Sequence, residues 1–246
     1  MTTAEWRKKI KKLEGKGNKL VLEAIDKAEK EHGKCCENVS DTISLWYTKY
    51  ATDGKITYAE AVRLNRMLEL IEDIEYDLDE STKEEEKHLD VLLAALLALY
   101  SKDLDYSLSL DIFRKPWASD GILYSERLWS NKALLLAYLQ LDLKRALARG
   151  DSLEQILSQV RKRFKTSTNS LGRMIRTEAT AGESNMLKDW MLANGYSKYQ
   201  WVTILDDRTC DVCESMNGLI FRLKDFEIGV TAPPAHPSCR CVCTPV

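Results

Sequence analysis

Cys210-Asp211-Val212-Cys213 and, some twenty residues later, His236-Pro237-Ser238-Cys239-Arg240-Cys241-Val242-Cys243 decide how the rest of this chain is read. Five of the seven cysteines and one of the three histidines lie in this short tail, where long apolar helical patterning is poorest. Two cysteines separated by two residues place both sulfurs on one ion, and a distant second set closes a tetrahedron. Thiolate and imidazole together favour zinc. Cys210 and Cys213 are the firmest ligands, and Cys239 follows because it can form a local chelate with His236 or Cys241. The fourth ligand is either His236 or Cys241, and Cys243 is spare. Four protein ligands close the coordination sphere, so the expected zinc is structural; a catalytic ion keeps a position open for water or substrate. The competing reading is free cysteines in a small β core with no metal.

Working outward, the flanks of this tail have a two-residue period. Tyr199-Gln200-Trp201-Val202-Thr203-Ile204-Leu205 is rich in aromatic and β-branched residues and predicts a strand ending at Asp206-Asp207. Leu219-Ile220-Phe221-Arg222 predicts a second, entered through Asn217-Gly218, and Cys241-Val242-Cys243-Thr244 a closing third. Everything upstream has helical spacing. Trp6, Ile10, Leu13, Leu20, Val21 and Ile25 fall at threes, fours and sevens, interrupted at Gly15 and Gly17. Val39 to Tyr50 mixes β-branched and aromatic residues before a turn at Thr52-Asp53-Gly54-Lys55. Thr57 and Glu60 have capping-box spacing for a helix through Val62, Leu64, Met67, Leu68, Ile71 and Ile74. The acids from Glu69 to Glu86 read as a solvated face.

Leu89 to Tyr100 is the most apolar run, too short for a membrane span, and reads as a core helix whose face continues to Pro116. Trp117 and Trp129 flank an Asp120-Gly121 turn as apolar anchors, with Ser125 as the expected cap of a helix closing at Gly150. Asp151 or Ser152 caps the next, carrying Leu153, Ile156, Leu157, Val160 and Phe164 on one stripe. A polar break at 165–170 precedes a last helix through Arg173, Arg176 and Glu178 to Asn194-Gly195. On that helix Arg173 and Arg176 share a face and Glu178 does not, which suits ties to the following domain better than one convergent catalytic site. The expected architecture is therefore α+β, mainly α. A helical N-terminal region spans 1–115, a helical segment 116–195, and a small zinc-clasped β module 196–246.

Composition limits the partners. The chain has 246 residues, 44% hydrophobic, and a formal net charge of -2, so any pull on nucleic acid or membrane must be local. The basic start of the chain is followed by no apolar run, which argues against a secretory signal and for reduced cysteines. Lys8, Lys9, Lys11, Lys12, Lys16 and Lys19 could neutralise phosphates, or simply solvate a helix face.

The order Arg176-Thr177-Glu178, Trp201, Asp207-Arg208-Thr209-Cys210-Asp211-Val212-Cys213, Gly218, Pro233-Pro234-Ala235-His236-Pro237-Ser238-Cys239-Arg240-Cys241 resembles the Mu F-like minor head (head morphogenesis) proteins of tailed bacteriophages. The resemblance is specific from about residue 171 onward; the first hundred residues rest on helical pattern alone. It implies a non-enzymatic component carried in few copies inside the virion, met in the host cytoplasm during assembly. It implies association with the portal or inner capsid, through portal protein and/or major capsid or scaffold protein, a role in head morphogenesis, and possible passage into the cell with the DNA. Thr244-Pro245-Val246 leaves no room for an appended toxin domain of the kind some members carry. Two alternatives stand beside this reading. One is a DNA-binding virion protein ejected with the genome, using the lysines above and Arg161, Lys162, Arg163 and Lys165. The other is a zinc-dependent nuclease using His236 with Asp206 or Asp207, disfavoured because thiolate-rich sites suit phosphodiester hydrolysis poorly.

Overall fold

The computed structural model describes every residue except Asp53, Lys55 and Leu64, and the side chains of Glu60 and Arg63. The turn expected at 52–55 and the Thr57/Glu60 capping box therefore fall partly outside the described residues. Five helices dominate the chain: α1 (Thr3–Tyr50), α2 (Tyr58–Arg63), α3 (Arg66–Leu104), α4 (Tyr124–Arg149) and α5 (Leu153–Ala193). The strands β1 (Lys198–Val202), β2 (Ile220–Arg222) and β3 (Val242–Pro245), with a short helix α6 (Asp211–Met216) between the first two, make up the C-terminal module. Both neighbours of β1 are antiparallel to it, in the order β2-β1-β3. The mainly helical body and the small β element are thus as expected. No helix among the described residues is long and apolar enough to cross a membrane.

Two compact units divide the chain. One takes Met1–Asp26, His88–Tyr124 and Arg173–Val246, the other Lys27–Lys87 and Ser125–Gly172. The second unit is held by a continuous aliphatic and aromatic core that includes Val39, Ile43, Leu70, Ile74, Leu139, Leu143, Ile156 and Phe164. In the first unit Trp6, Trp190 and Tyr196 stack their rings edge-on or tilted, and Phe113 sits where a Cβ on Gly182 would approach to 2.3 Å.

Several expectations are corrected. Gly15 and Gly17 do not interrupt α1, which runs unbroken through both. Gly17 is small for a packing reason: a Cβ there would lie 2.3 Å from Glu183 Oε1 and 3.3 Å from Leu96 Cδ2, so the missing side chain lets α5 and α3 close on the helix. The polar break at 165–170 does not exist either, because α5 continues through it. Its hydroxyls stay on their own helix: Thr166, Thr168 and Ser170 donate to the carbonyls of Lys162, Phe164 and Thr166, one turn back, which lets polar residues persist inside a helix. Val39 to Tyr50 is helical and finishes α1.

The helical face expected to reach Pro116 stops at Leu104, where Asp105 takes a positive φ of 51°. Ser125 lies inside the first turn of α4 rather than capping it. Glu85 breaks the reading of the acidic run as surface. It is 5% exposed and its Oε1 lies 2.8 Å from Nδ1 of the equally buried His32. Other boundaries fall where the local chemistry puts them. Gly150 and Gly195 adopt positive φ past the ends of α4 and α5. Ser152 and Gln155 exchange the two hydrogen bonds of a capping box at the start of α5.

Candidate metal centre

The site begins with α6. Cys210 occupies its N-cap, with extended backbone, and its Sγ accepts the Cys213 N–H at 3.5 Å. Sulfur thus replaces the usual oxygen cap and in doing so points at the next turn. A helical turn then brings the Cys213 sulfur alongside. On the other side of the site, the loop after the cis Pro233-Pro234 bond presents His236, whose Nε2 lies 3.2 Å from both the Cys210 and Cys213 sulfurs. Its Nδ1 is 2.9 Å from the Pro237 carbonyl oxygen. A carbonyl only accepts, so Nδ1 carries a proton there and Nε2 is the ring atom that faces the two sulfurs.

Cys239 approaches from the end of that loop, its sulfur 3.7 Å from that of Cys213. Cys210, Cys213 and His236 form one trio of mutually close donor atoms, and Cys213, Cys239 and Cys241 a second, with Cys213 common to both. The five expected residues thus divide between two trios that share Cys213 rather than forming one group, and Cys243 stands apart from both, fully buried in β3.

Three donor separations can be set against those of a tetrahedral zinc. With zinc–sulfur bonds of about 2.3 Å, tetrahedral ligand sulfurs lie about 3.8 Å apart, close to the 3.7 Å between Cys213 and Cys239. The sulfur to imidazole separations of 3.2 Å are a little inside the about 3.6 Å that such a site requires. The protonation chemistry is also that of crowded thiols. Hydrogen bonding from the Cys241 thiol outweighs burial and brings Cys239 down to about 5, whereas burial pushes Cys213 up to about 12. Cys241 is held far above the usual thiol range, first by its bond to Cys239 and then by burial. Thr203 Oγ1 lies 3.5 Å from its sulfur as an alternative acceptor for the same thiol proton. No metal ion is present, and the identity of one is not fixed by these contacts.

The module around the cluster has little else in its core. Trp201, 0% exposed, packs on Cys213, Cys239 and Cys241. Thr203 donates through Oγ1 to the Cys213 carbonyl at 2.6 Å, and its N–H donates to Asn217 Oδ1 at 3.1 Å. Two threonines of α5 hold the ligand loop from the outside: Thr180 Oγ1 donates to the Cys239 carbonyl at 3.0 Å, and Thr177 Oγ1 accepts from the Ser238 N–H at 3.0 Å. The charged residues singled out beside them do other work. Arg176 donates to Asn18 at 2.8 Å and Glu178 accepts from Trp117 Nε1 at 2.6 Å. The Thr177 and Thr180 anchors went unnoticed in the sequence; their signal was their place, one turn apart, beside the arginine of the motif.

The remaining candidates scatter. Asp206 is engaged by both terminal nitrogens of Arg240 at 2.7 Å and by the Arg208 N–H. The Arg240 guanidinium, ahead of other causes, holds its carboxyl far below the usual range. Asp207 is exposed. Of the N-terminal lysines, Lys8, Lys11, Lys12, Lys16 and Lys19 are exposed, Lys16 pairs with Asp103, and Lys9 lies over the Trp6 ring at 5.0 Å.

A family model described as phage Mu protein F like protein matches residues 137–244. A curated relative, the minor head protein GP7 of Bacillus phage SPP1, is 22% identical across 91% of this chain and 82% of its own length. No solved structure matches. The matched span contains α5, both anchoring threonines, and the five cysteines and one histidine of the C-terminal tail, so the match to the phage Mu protein F like family over residues 137–244 supports the resemblance read from the motif.

Proposed function

We propose that this protein is a minor head protein of a tailed bacteriophage, structural rather than enzymatic, acting in head morphogenesis in contact with the portal or the inner capsid. The observation that carries this reading is the match to a minor head protein along 91% of the chain, helical N-terminal part included. A fold with long helices and one small clasped module suits a docking component: the helices offer surface, and the clasp fixes the end of α5. Residues 196–246 serve as the clasp, 116–195 as the helical lead into it, and 1–115 as the helical region that meets partners. The protein is then made in the host cytoplasm and retained inside the virion.

The clasp holds one structural zinc, through Cys210, Cys213 and Cys239 with His236 as the fourth ligand. His236 is favoured over Cys241 because its Nε2 faces two of the other sulfurs while the Cys241 thiol is turned to Thr203. Such an ion supplies cross-linking and no chemistry of its own, since all four positions are filled by the chain. Purification of assembled heads from a phage carrying a tagged copy tests the assignment. Portal or major capsid protein should co-purify with the chain. Its absence from heads, together with chelator-sensitive DNA cleavage by the purified protein, would sink the structural reading.

A second reading, a DNA-binding virion protein ejected with the genome, is favoured by the exposure of Lys8, Lys11, Lys12 and Lys19 on α1. Replacing these four by glutamine should then flatten a steep salt dependence of DNA binding; no change in slope would remove it.

A further inference from the structure

Helix α4 is apolar on two sides. Leu135, Leu139 and Leu143 face the core of the unit formed by Lys27–Lys87 and Ser125–Gly172. Leu134, Tyr138 and Leu141 turn the other way and are 52%, 41% and 40% exposed. Spaced four and three residues apart, they form one stripe. It runs beside a groove between α4 and α5 that is lined by Leu134, Tyr138, Arg163, Thr166 and Ser167. Single apolar residues on a surface are ordinary, but a stripe along a groove is the form that receives a docking helix. Bases finish the groove at one end. Arg145 lies one turn beyond Leu141 and Lys162 one turn before Thr166; both are exposed, and among the described residues neither forms an ion pair. Arg163 lies over the Tyr138 ring at 4.6 Å and is paired with Asp142.

The same unit carries the opposite charge elsewhere. Residues 66–87 hold ten acids and three bases, whereas residues 125–172 hold nine bases and four acids. On α3 the outward side presents Leu68 and Tyr76, 60% and 67% exposed, with Glu72 midway between them and Asp73 next to it. Glu72 and Asp73 are exposed, and among the described residues they pair with no base. At 1.5 Å per residue Leu68 and Tyr76 stand about 12 Å apart along their helix, against about 10 Å from Leu134 to Leu141. Two apolar anchors with acids between them thus match a stripe of similar length that ends in bases. A phosphate backbone would meet the bases and leave the leucines without a partner, which favours a helix as the occupant.

We propose that the α4/α5 groove of one molecule receives the acidic face of α3 from a second copy of this chain. Because the two surfaces differ, the contact is head-to-tail, and each molecule keeps one surface open to the next. The interface uses neither the metal cluster nor the lysines of α1, and it does not depend on the role proposed for the protein in the head.

Sedimentation of the full-length, metal-replete protein over a concentration series tests this. Wild type should move from monomer toward dimer and larger species as concentration rises, and raising salt from about 0.1 M to about 1 M should weaken the association several-fold. Leu134→Gln/Leu141→Gln, which removes the stripe, and Glu72→Lys/Asp73→Lys, which reverses the α3 face, should each weaken it about tenfold. Far-UV signal and melting temperature matching wild type identify each variant as folded. An equimolar mixture of the two variants is the sharpest readout. Each lacks one surface and retains the other, so the mixture should form dimers that neither variant forms alone, and these should not grow further. The proposal is overturned if wild type stays monomeric at every concentration, if the mixture stays monomeric, or if Glu72→Lys/Asp73→Lys self-associates like wild type. The last result would assign the groove to a symmetric contact with itself. A monomeric wild type that binds a short DNA duplex, with binding lost in Leu134→Gln/Leu141→Gln, would assign it to nucleic acid.

Discussion

The C-terminal module and the helical unit formed by Lys27–Lys87 and Ser125–Gly172 solve the same problem by different means. The helical unit buries a run of aliphatic and aromatic side chains contributed by four long stretches of helix, each residue of the core removing apolar area from water. The module has three short strands, a six-residue helix and a core in which Trp201 packs on three cysteines. Small segments bury too little apolar surface to offset the conformational entropy they lose, and natural ones of this size are held by cross-links or metals. The difference predicts where each region fails. The helical unit should weaken by degrees as its packing is eroded, whereas the module should be lost all at once when its cross-link goes.

The largest effect should come from Cys213→Ser, since Cys213 belongs to both donor trios. Structural zinc sites contribute about 10 kcal/mol or more of binding free energy that is also folding free energy. Native mass spectrometry should show one zinc per wild-type chain and none in the variant. Trp201 fluorescence should shift to that of an exposed indole, while most of the helical far-UV signal remains. A metal-free wild-type protein with a buried Trp201 would break the comparison, because the module would then be holding itself by packing. The graded counterpart is Leu139→Ala, at a fully buried position in the helical core. It should cost about 3 kcal/mol in chemical unfolding, the usual range for truncating a buried leucine, and leave the zinc content at one. Concerted loss of zinc with that substitution would show that the two regions do not fail separately.

A pH-dependent effect should act on the helical part of the first unit. Burial, ahead of its neighbours, raises Glu14 to about 7, and burial followed by the charge of Glu14 raises Glu183 to about 8. An acid that is harder to ionise when folded keeps its proton over a range where the unfolded chain, near 4.5, has lost it. The folded state then binds more protons, so stability falls as pH rises from about 4.5 to about 8 and is level on either side. Glu183→Gln removes the ionisation while keeping the shape, and its melting temperature should exceed that of wild type by a margin that grows from pH 5 to pH 8. A margin independent of pH would show that Glu183 does not titrate in this window.

The sequence was readable wherever the determining chemistry is local. Gly150, Ser152 and Gly195 mark helix ends through backbone preferences and side chains within three residues of the boundary. The Cys-x-x-Cys spacing and the alternating strands gave the module in outline for the same reason. What could not be read depends on residues far apart in the chain. Gly17 looks like a helix breaker until Glu183 and Leu96 are seen packed against it. Glu85 looks solvated until His32, fifty-three positions away, supplies its partner. The hydroxyl-rich stretch of α5 was misread for a different reason, since bonds to the carbonyl one turn back are local but leave no distinctive spacing. At the cluster, sequence narrowed the ligands to five and could not choose the fourth. The proposed choice of His236 rests on the Pro237 carbonyl beside its Nδ1 and on the Cys241 sulfur lying against Thr203.

The smallest of these effects tests how far the clasp relies on the helix beside it. Thr180 is 6% exposed, and its hydroxyl donates to the carbonyl of Cys239, a proposed ligand, from α5. Thr180→Val keeps the volume and the branching but leaves that carbonyl without the donor, so the expected cost is about 1 kcal/mol. Because the lost bond is to the backbone of a proposed ligand, the cost should be felt by zinc retention more than by global unfolding. Zinc transfer to a chromogenic chelator should speed up several-fold in Thr180→Val, with a denaturant midpoint close to that of wild type. Orienting contacts just outside a ligand set commonly change metal affinity by ten-fold or more, so an unchanged transfer rate would mean that α5 merely covers the loop. In that case the clasp is organised from within, by Trp201, Thr203 and the cysteines alone.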